Sequence, residues 1–372
     1  MLFNLVIDGW LASCPEGISF RSDSLEVNAM AFADDLVLLA STPEGLQDLL
    51  DNLFAYLGPR GLEINAQKSL TVSITPDAKR KITKIEPDYR FRIGSSIIPA
   101  ATTDTSWKYL GLHFTPMGMK PALIQTELKQ LLQRVSAAPL KPQQRMVVLR
   151  TYLLPRFLHG LVLGPVSIKM LTKLDKAVRA AVRRWLRLPH DAALPIFHAP
   201  VADGGLGIMS VRATVPCLRL RRMATMERSE NESCREIFSR NFMIEELDKA
   251  RRMSFYNKVQ LDTAKKIKDY WRRQLYSSAD GAALRGAGNA PGACNWVREG
   301  TSLLSGRDFI DVIKFRYNCM PVLARTKRGR ENEPIQCRAG CSAPETLGHV
   351  TQICHRTDHT RTTRHDSLVN YI

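Results

Sequence analysis

A chain of 372 residues with 44% hydrophobic content can bury more than one core, so two or three domains are expected. No unbroken apolar run reaches the ~18 residues of a membrane span, and MLFNLVIDGW lacks the basic start and cleavage site of a secretory signal. Neither a membrane partner nor secretion is therefore expected. The formal net charge is +17, unevenly placed: Met1 to Thr115 holds 10 Lys+Arg against 14 Asp+Glu, and Pro116 to Ile372 holds 43 against 22. A basic body of this kind suits a polyanionic partner, although a solvated surface has the same composition.

In chain order, LFNLVIDGWL (Leu2 to Leu11) has apolar residues at helical spacing and no N-cap before it, so the chain reads as beginning inside an element, as a fragment would. Residues 26 to 40 read as a β-hairpin bending at Ala33-Asp34-Asp35. Thr42 to Gly61 reads as a helix with Thr42 as N-cap, Pro43 in its first turn and a Gly58-Pro59 stop. Its apolar positions are Leu46, Leu49, Leu50, Leu53 and Phe54. Strands are expected at Leu70 to Ile74 and Tyr109 to Phe114, then helices at Ala122 to Ala137, Lys141 to Leu161 and Ser167 to Arg187. Pro155 is expected to kink or end the second of these. The glycine-rich Ala199 to Ser210 matches no phosphate-binding fingerprint. Residues 215 to 275 read as helical and basic, and Ser278 to Ala293 as a linker. No internal repeat is found.

Three features carry chemistry. Asp34 and Asp35 stand side by side between two runs of buried-strand character, where aspartate is disfavoured. At the rim of a bend, paired carboxylates suit Mg²⁺, and two such ions can serve an in-line phosphoryl transfer. Along Ser167 to Arg187, Leu171, Leu174, Val178, Ala181 and Trp185 form a core stripe. Lys169, Lys173, Lys176, Arg183 and Arg187 fall largely on another face, a row suited to a phosphate backbone. Arg219, Arg221, Arg222, Arg251, Arg252, Lys265, Lys266, Lys268, Arg272 and Arg273 extend the same basic surface. Near the C-terminus, Cys337-x3-Cys341-x7-His349-x4-Cys354 is the ligand set of a closed zinc site. Glu345 to Gln352 reads as a short helix presenting His349, and His355 and His359 are competing imidazoles. RTKRGR (Arg325 to Arg330) with Arg356, Arg361 and Arg364 adds a basic flank. The other cysteines (Cys14, Cys217, Cys234, Cys294, Cys319) read as reduced thiols.

Phe32-Ala33-Asp34-Asp35, then GLEINAQKS (Gly61 to Ser69), then WKYLG (Trp107 to Gly111) resembles, in order and separation, the reverse transcriptase of non-LTR retrotransposons. The block Cys337 to Leu368 resembles the knuckle of site-specific elements that insert into ribosomal RNA genes. The resemblance implies an α+β chain: the C-terminal part of a palm (1–116), a thumb (117–195), a basic helical linker (196–330) and a CCHC zinc knuckle (331–372) leading toward an endonuclease. It implies Mg²⁺ at Asp34 and Asp35, Asn65 and Lys68 near the triphosphate with Lys68 as cation or proton donor, and Tyr109, Leu110 and Gly111 holding the primer end. A loop and a third metal-binding aspartate of the family would lie upstream of Met1. The implied function is RNA-directed DNA polymerisation primed by a nicked ribosomal DNA target, with element RNA, target DNA and deoxynucleotides as partners and the nucleus as location. Two other readings stand beside it: a non-catalytic zinc and nucleic-acid binding module, and a group II intron-type maturase, against which the cysteine spacing argues.

Overall fold

The computed structural model describes residues 2–15, 19–22, 25–121, 123–299, 304–330 and 332–370. The chain divides into two compact units: Met1–Leu123, His159–Val166 and Leu218–Ala250 form the first, and Ile124–Leu158, Ser167–Cys217 and Arg251–Ile372 the second.

In the first unit, helix Leu2–Ala12 and helix Pro43–Leu57 bury Ile7, Trp10, Leu53 and Leu57 together, and Ala29, Leu36 and Leu38 of the hairpin pack against them. Trp10 Nε1 donates to Asn52 Oδ1 (2.9 Å), giving the buried indole its partner. Thr42 caps the second helix, its hydroxyl accepting from the Gly45 amide (3.1 Å), as its sequence predicts. Leu57 joins the buried stripe, whereas Phe54 is exposed and lays its ring over Gly94. The left-handed residue that ends this stretch is Gly61 (φ 70°), after a 3-10 turn over Gly58–Arg60. A neighbouring core gathers Leu50, Ala66, Phe91, Ile93 and Ile98.

The strands form short antiparallel ladders: Ala29–Phe32 with Asp35–Leu38, Ile74–Asp77 with Ile82–Ile85, and Trp107–Tyr109 with Leu112–Thr115, the last extended by Gly118–Met119 to three strands. The expected strand Leu70 to Ile74 is replaced by one bridge, Thr71 to Ala100, before a strand that starts at Ile74. The expected strand Tyr109 to Phe114 is two strands, because Leu110 (φ 46°) and Gly111 (φ 81°) form a two-residue turn. Positive φ at both central residues is the hairpin geometry that matches strand twist.

In the second unit, helix Ile124–Ala137 packs along helix Ile168–Trp185, whose whole predicted stripe is buried. Trp185 Nε1 donates to Ser136 Oγ across that contact (2.8 Å). Of the two expectations for Pro155, a kink or an end, the end does not occur. A π-turn over Leu149–Leu153 widens the ladder just before the proline, so helix Leu154–Leu163 continues without the hydrogen bond the ring cannot make. Pro142–Leu163 is, by length and mean hydropathy (1.3), enough to cross a bilayer. Arg150 in its middle donates to the carbonyls of Leu206 (3.0 Å) and Val297 (3.1 Å), however, and Met146, Leu149, Leu153 and Leu154 are buried.

Residues 215 to 275 are helical as predicted, interrupted by a small hairpin, Phe255–Tyr256 with Val259–Gln260. Ser278 to Ala293 is not a free linker. Asp280 is 2% exposed and Leu284 is buried, and Asp280 Oδ2 accepts from the Ala193 amide (2.9 Å). Small residues are needed here for close packing: a side chain at Gly281 would strike the Leu275 carbonyl.

Candidate active site and metal centre

The hairpin that carries the paired aspartates is set by its two faces. Alternate residues Ala29, Leu36 and Leu38 pack on the first unit's core, while Met30, Phe32, Asp34 and Asp35 are exposed. Phe32 pairs with Asp35, which places Ala33 and Asp34 at the turn. Ala33 sits at φ 54°, a conformation that costs an L-residue about 1–2 kcal/mol and lets both carboxylates stand at the rim. Among the described residues no ion pair ties either carboxylate to a cation, and their oxygens suit hard divalent ions. Tyr109 lies within reach of this charge: burial raises its phenol pKa first, and Asp35 raises it further.

The turn after Tyr109 is pinned by His159, whose Nε2 lies 2.7 Å from the Leu110 carbonyl oxygen. A carbonyl only accepts, so Nε2 carries the hydrogen. No sequence signal marks His159 as part of this site. Asn65 caps a 3-10 turn over Ala66–Lys68, its Oδ1 accepting from the Lys68 amide (3.1 Å). The Lys68 side chain is exposed, and among the described residues it forms no ion pair with Asp34 or Asp35.

On helix Ile168–Trp185, Lys169, Lys173 and Lys176 are exposed, and Arg187 just beyond it is too. Arg183 is not part of this row. Its guanidinium stacks on Phe197 (4.7 Å) and donates to the Ala192 carbonyl (3.3 Å), and burial lowers its pKa. Exposed Arg184 takes its place, two turns beyond Lys176 on the side of the helix that carries Lys169 and Lys173. Arg219 is likewise no surface cation. It is 5% exposed, donates to the carbonyls of Leu161 (3.1 Å) and Gly164, and pairs with Glu246 (3.5 Å). Arg221, Arg222, Lys265, Lys268 and Arg273 are exposed as predicted.

Cys337, Cys341, His349 and Cys354 converge, their ligand atoms all within 4.8 Å of one another. Cys354 Sγ lies 3.7 Å from Cys337 Sγ and 3.8 Å from Cys341 Sγ. Tetrahedral zinc with ~2.3 Å bonds requires sulfur separations of about 3.8 Å. Among the described residues His349 Nε2 is buried without a hydrogen-bond partner, a cost that a metal bond would remove. The four groups therefore fit zinc. His349 lies in the expected short helix, which runs over residues 347–353 and is π-helical from His349 to Ile353, its amide donating to Thr346 Oγ1 (3.0 Å). Of the competing imidazoles, His355 hydrogen-bonds Cys341 Sγ through Nδ1 (3.2 Å) and is exposed, and His359 is outside the cluster. The Ala339 amide, ahead of the other neighbours, pulls the Cys337 thiol down to about 7, favouring the thiolate that a metal needs. Burial pushes Cys341 up.

One residue here escapes sequence reasoning. Glu345 is buried and bound by Arg338, whose guanidinium holds its carboxyl down at about 2. A lone carboxylate in a basic stretch was the available signal.

The model of reverse transcriptases (RNA-dependent DNA polymerases) matches residues 1–114, the segment that holds the hairpin, the Lys68 turn and the Tyr109 turn. Among curated proteins, the chain is 42% identical over its full length to the Retrovirus-related Pol polyprotein from type-2 retrotransposable element R2DM of Drosophila melanogaster. It is 38% identical to the Pol polyprotein from type-1 retrotransposable element R2 of Nasonia vitripennis, again over its full length. In each case it spans 35% of the relative. Over 91% of the chain it is 33% identical to an R2 Pol polyprotein of Popillia japonica, spanning 69% of that protein. The chain belongs to the R2 family of non-LTR retrotransposon Pol polyproteins and carries a reverse transcriptase portion. Membership in this family removes the maturase reading.

Proposed function

We propose that the intact protein is an RNA-directed DNA polymerase that extends a nicked target-DNA 3′ end by copying the element's RNA in the nucleus. The observation that supports it best is the hairpin whose turn at Ala33 holds two adjacent, unpaired carboxylates at a rim beside Tyr109. Bound Mg²⁺ would neutralise charge on the triphosphate and on the reacting oxygens. Asp34 holds the metal directly, and Asp35 holds or supports it. Lys68 faces the departing pyrophosphate as a cation or proton donor. Tyr109, Leu110 and Gly111 seat the primer end, with the backbone of the turn as the contact. Residues 1–116 are the palm part, 117–195 the thumb, 196–330 the basic linker and 331–372 a zinc knuckle that leads toward an endonuclease. The row Lys169, Lys173, Lys176, Arg184 and Arg187 lies along the template–primer backbone, and zinc occupies Cys337, Cys341, His349 and Cys354.

Asp34 and Asp35 are two of the three carboxylates that the resembled family uses to hold metal, and the 372-residue chain by itself is proposed to be inactive. In isolation it is a zinc and nucleic-acid binding module, a reading that the four converged ligands favour. Primer extension on an RNA template tests both parts. In the full-length protein, Asp34→Ala should lower extension by on the order of 10³-fold while RNA affinity stays within about twofold, because an exposed carboxylate adds nothing to phosphate binding. Extension that survives this substitution, or robust extension by the 372-residue chain, would overturn the assignment.

A further inference from the structure

Glu345 is not among the four zinc ligands, yet its side chain is only 4% exposed. Its Oε1 accepts from the Leu323 amide (3.0 Å) and from Arg338 Nη2, and its Oε2 from the Arg338 amide (3.1 Å) and Arg338 Nε (2.8 Å). A buried carboxylate is tolerated only when its lone pairs are so satisfied. The main chain of the same residue is also committed. Its amide donates to the Ile335 carbonyl (2.7 Å), and its carbonyl accepts from the Ala324 amide (3.1 Å).

These bonds run in two directions. Arg338 directly follows Cys337, so the bond to its amide orients the peptide plane that leads out of a zinc ligand. The Cys337 amide donates to the Ala343 carbonyl (3.1 Å), and Gln336 bridges Pro344, which closes the Cys337–Cys341 loop onto the residues just before Glu345. In the other direction, Leu323 and Ala324 open the segment that carries Arg325 and Arg328. Arg325 is bidentate on Asp191 (2.7 and 3.0 Å), and Arg328 reaches buried Asp280 (2.8 Å).

We infer that Glu345 is a positioning residue that couples the metal centre to the arginine segment: zinc orders the Cys337 loop, and the shared carboxylate passes that order to residues 322–330. The inference rests on the zinc reading and adds a partner for it within the chain. An ordinary structural glutamate would stabilise the knuckle equally with and without metal. A coupling residue makes the order of residues 322–330 depend on metal.

The test uses the full 372-residue chain, stripped with a chelator and titrated with Zn²⁺ alone. Affinity is read by competition with a chromophoric chelator, and order by hydrogen–deuterium exchange over residues 322–330 and 337–354. In the unaltered chain, zinc should slow exchange in both segments. E345Q keeps all four ligands, but its single carbonyl oxygen stays with the Arg338 amide and Nε donors and its –NH₂ then faces the Leu323 amide. It should bind one zinc roughly 10- to 100-fold more weakly, the usual effect of losing an outer-shell partner. At saturation, zinc should protect 337–354 of E345Q and no longer protect 322–330. R338A removes an exposed side chain and leaves Glu345 its two backbone donors, the Leu323 and Arg338 amides. It should weaken zinc binding by less than E345Q but by more than about threefold, and keep zinc-dependent protection at 322–330, since the Leu323 bond survives. E345Q or R338A with unaltered zinc affinity, or E345Q with unaltered zinc-dependent protection of 322–330, overturns the coupling. No stoichiometric zinc in the unaltered chain would instead sink the zinc reading itself.

Discussion

His198 shows how a single buried side chain sets a pH dependence. Its Nδ1 lies 3.0 Å from the Ile208 carbonyl oxygen, which can only accept, so Nδ1 carries the hydrogen and Nε2 accepts from Arg179 Nη1 (3.2 Å). Burial, with Arg179 adding to it, holds its pKa below the ordinary 6.5. The unfolded chain therefore takes up this proton at a higher pH than the folded one. The stabilisation is complete above pH 6.5 and declines as the pH falls below it. Urea unfolding should show a midpoint that drops between pH 7.5 and 5, and His198→Gln, which keeps one donor and one acceptor, should flatten that drop. An unchanged slope in the variant would place the titration elsewhere. At the knuckle, one zinc per chain is the expected stoichiometry, and Cys337→Ser should abolish it with disorder over roughly the last forty residues, a unit too small to hold itself. Protons compete for the thiolates, and with Cys337 near 7 the affinity should fall as the pH drops below neutral. Zinc retained after both His349 and Cys354 are replaced would reject the site.

At the scale of elements, the Tyr109–Leu112 turn and the basic helix make separate demands. Gly111 at φ 81° is a position where an L side chain is strained, and an added methyl would meet His159 Cδ2 at 3.4 Å. Gly111→Ala should cost about 1 kcal/mol in urea unfolding of the first unit, and an unaffected stability would mean that the turn relaxes freely. On helix Ile168–Trp185, exposure separates cations that bind from cations that hold. Replacing Lys173 and Lys176 by Gln should reduce the log–log salt slope of duplex binding by about 1.8 if each meets one phosphate. Arg183→Gln should instead lower stability through its lost stacking on Phe197 and leave the slope unchanged. A slope that responds to Arg183 and not to the lysines would reverse this division.

For the whole chain, the net charge of +17 is a statement about partners. Roughly six to ten phosphate contacts on a primer–template duplex imply a log–log salt slope of about −5 to −9. A slope near zero would leave the charge as a solvated surface. The surplus is not all available to a ligand, because Arg150, Arg212, Arg219 and Arg325 are spent on buried carbonyls and carboxylates of the fold itself. Arg212, for example, donates to the carbonyls of Met253 and Phe255 (both 2.7 Å) and lies at the start of a helix that Asp175 caps. Both sets of cations look alike in composition.

Local signals were legible in the sequence: the paired aspartates at a bend, the Thr42 cap, the stripe from Leu171 to Trp185, and the cysteine–histidine spacing. Each depends on residues a few positions apart, where helical period, strand alternation and ligand spacing act directly. Tertiary structure alone decided what distant residues do to one another. It turned Arg183 onto Phe197, buried Arg219 and left Arg184 exposed, and it folded Ser278 to Ala293 around Asp280. It split Tyr109 to Phe114 at a turn pinned by His159, and it surrounded Glu345 with four donors from two separate segments. The physical reason is common to all of these. A charged or glycine-rich stretch has no fate of its own, because its free energy is set by partners that only the fold brings within hydrogen-bond range.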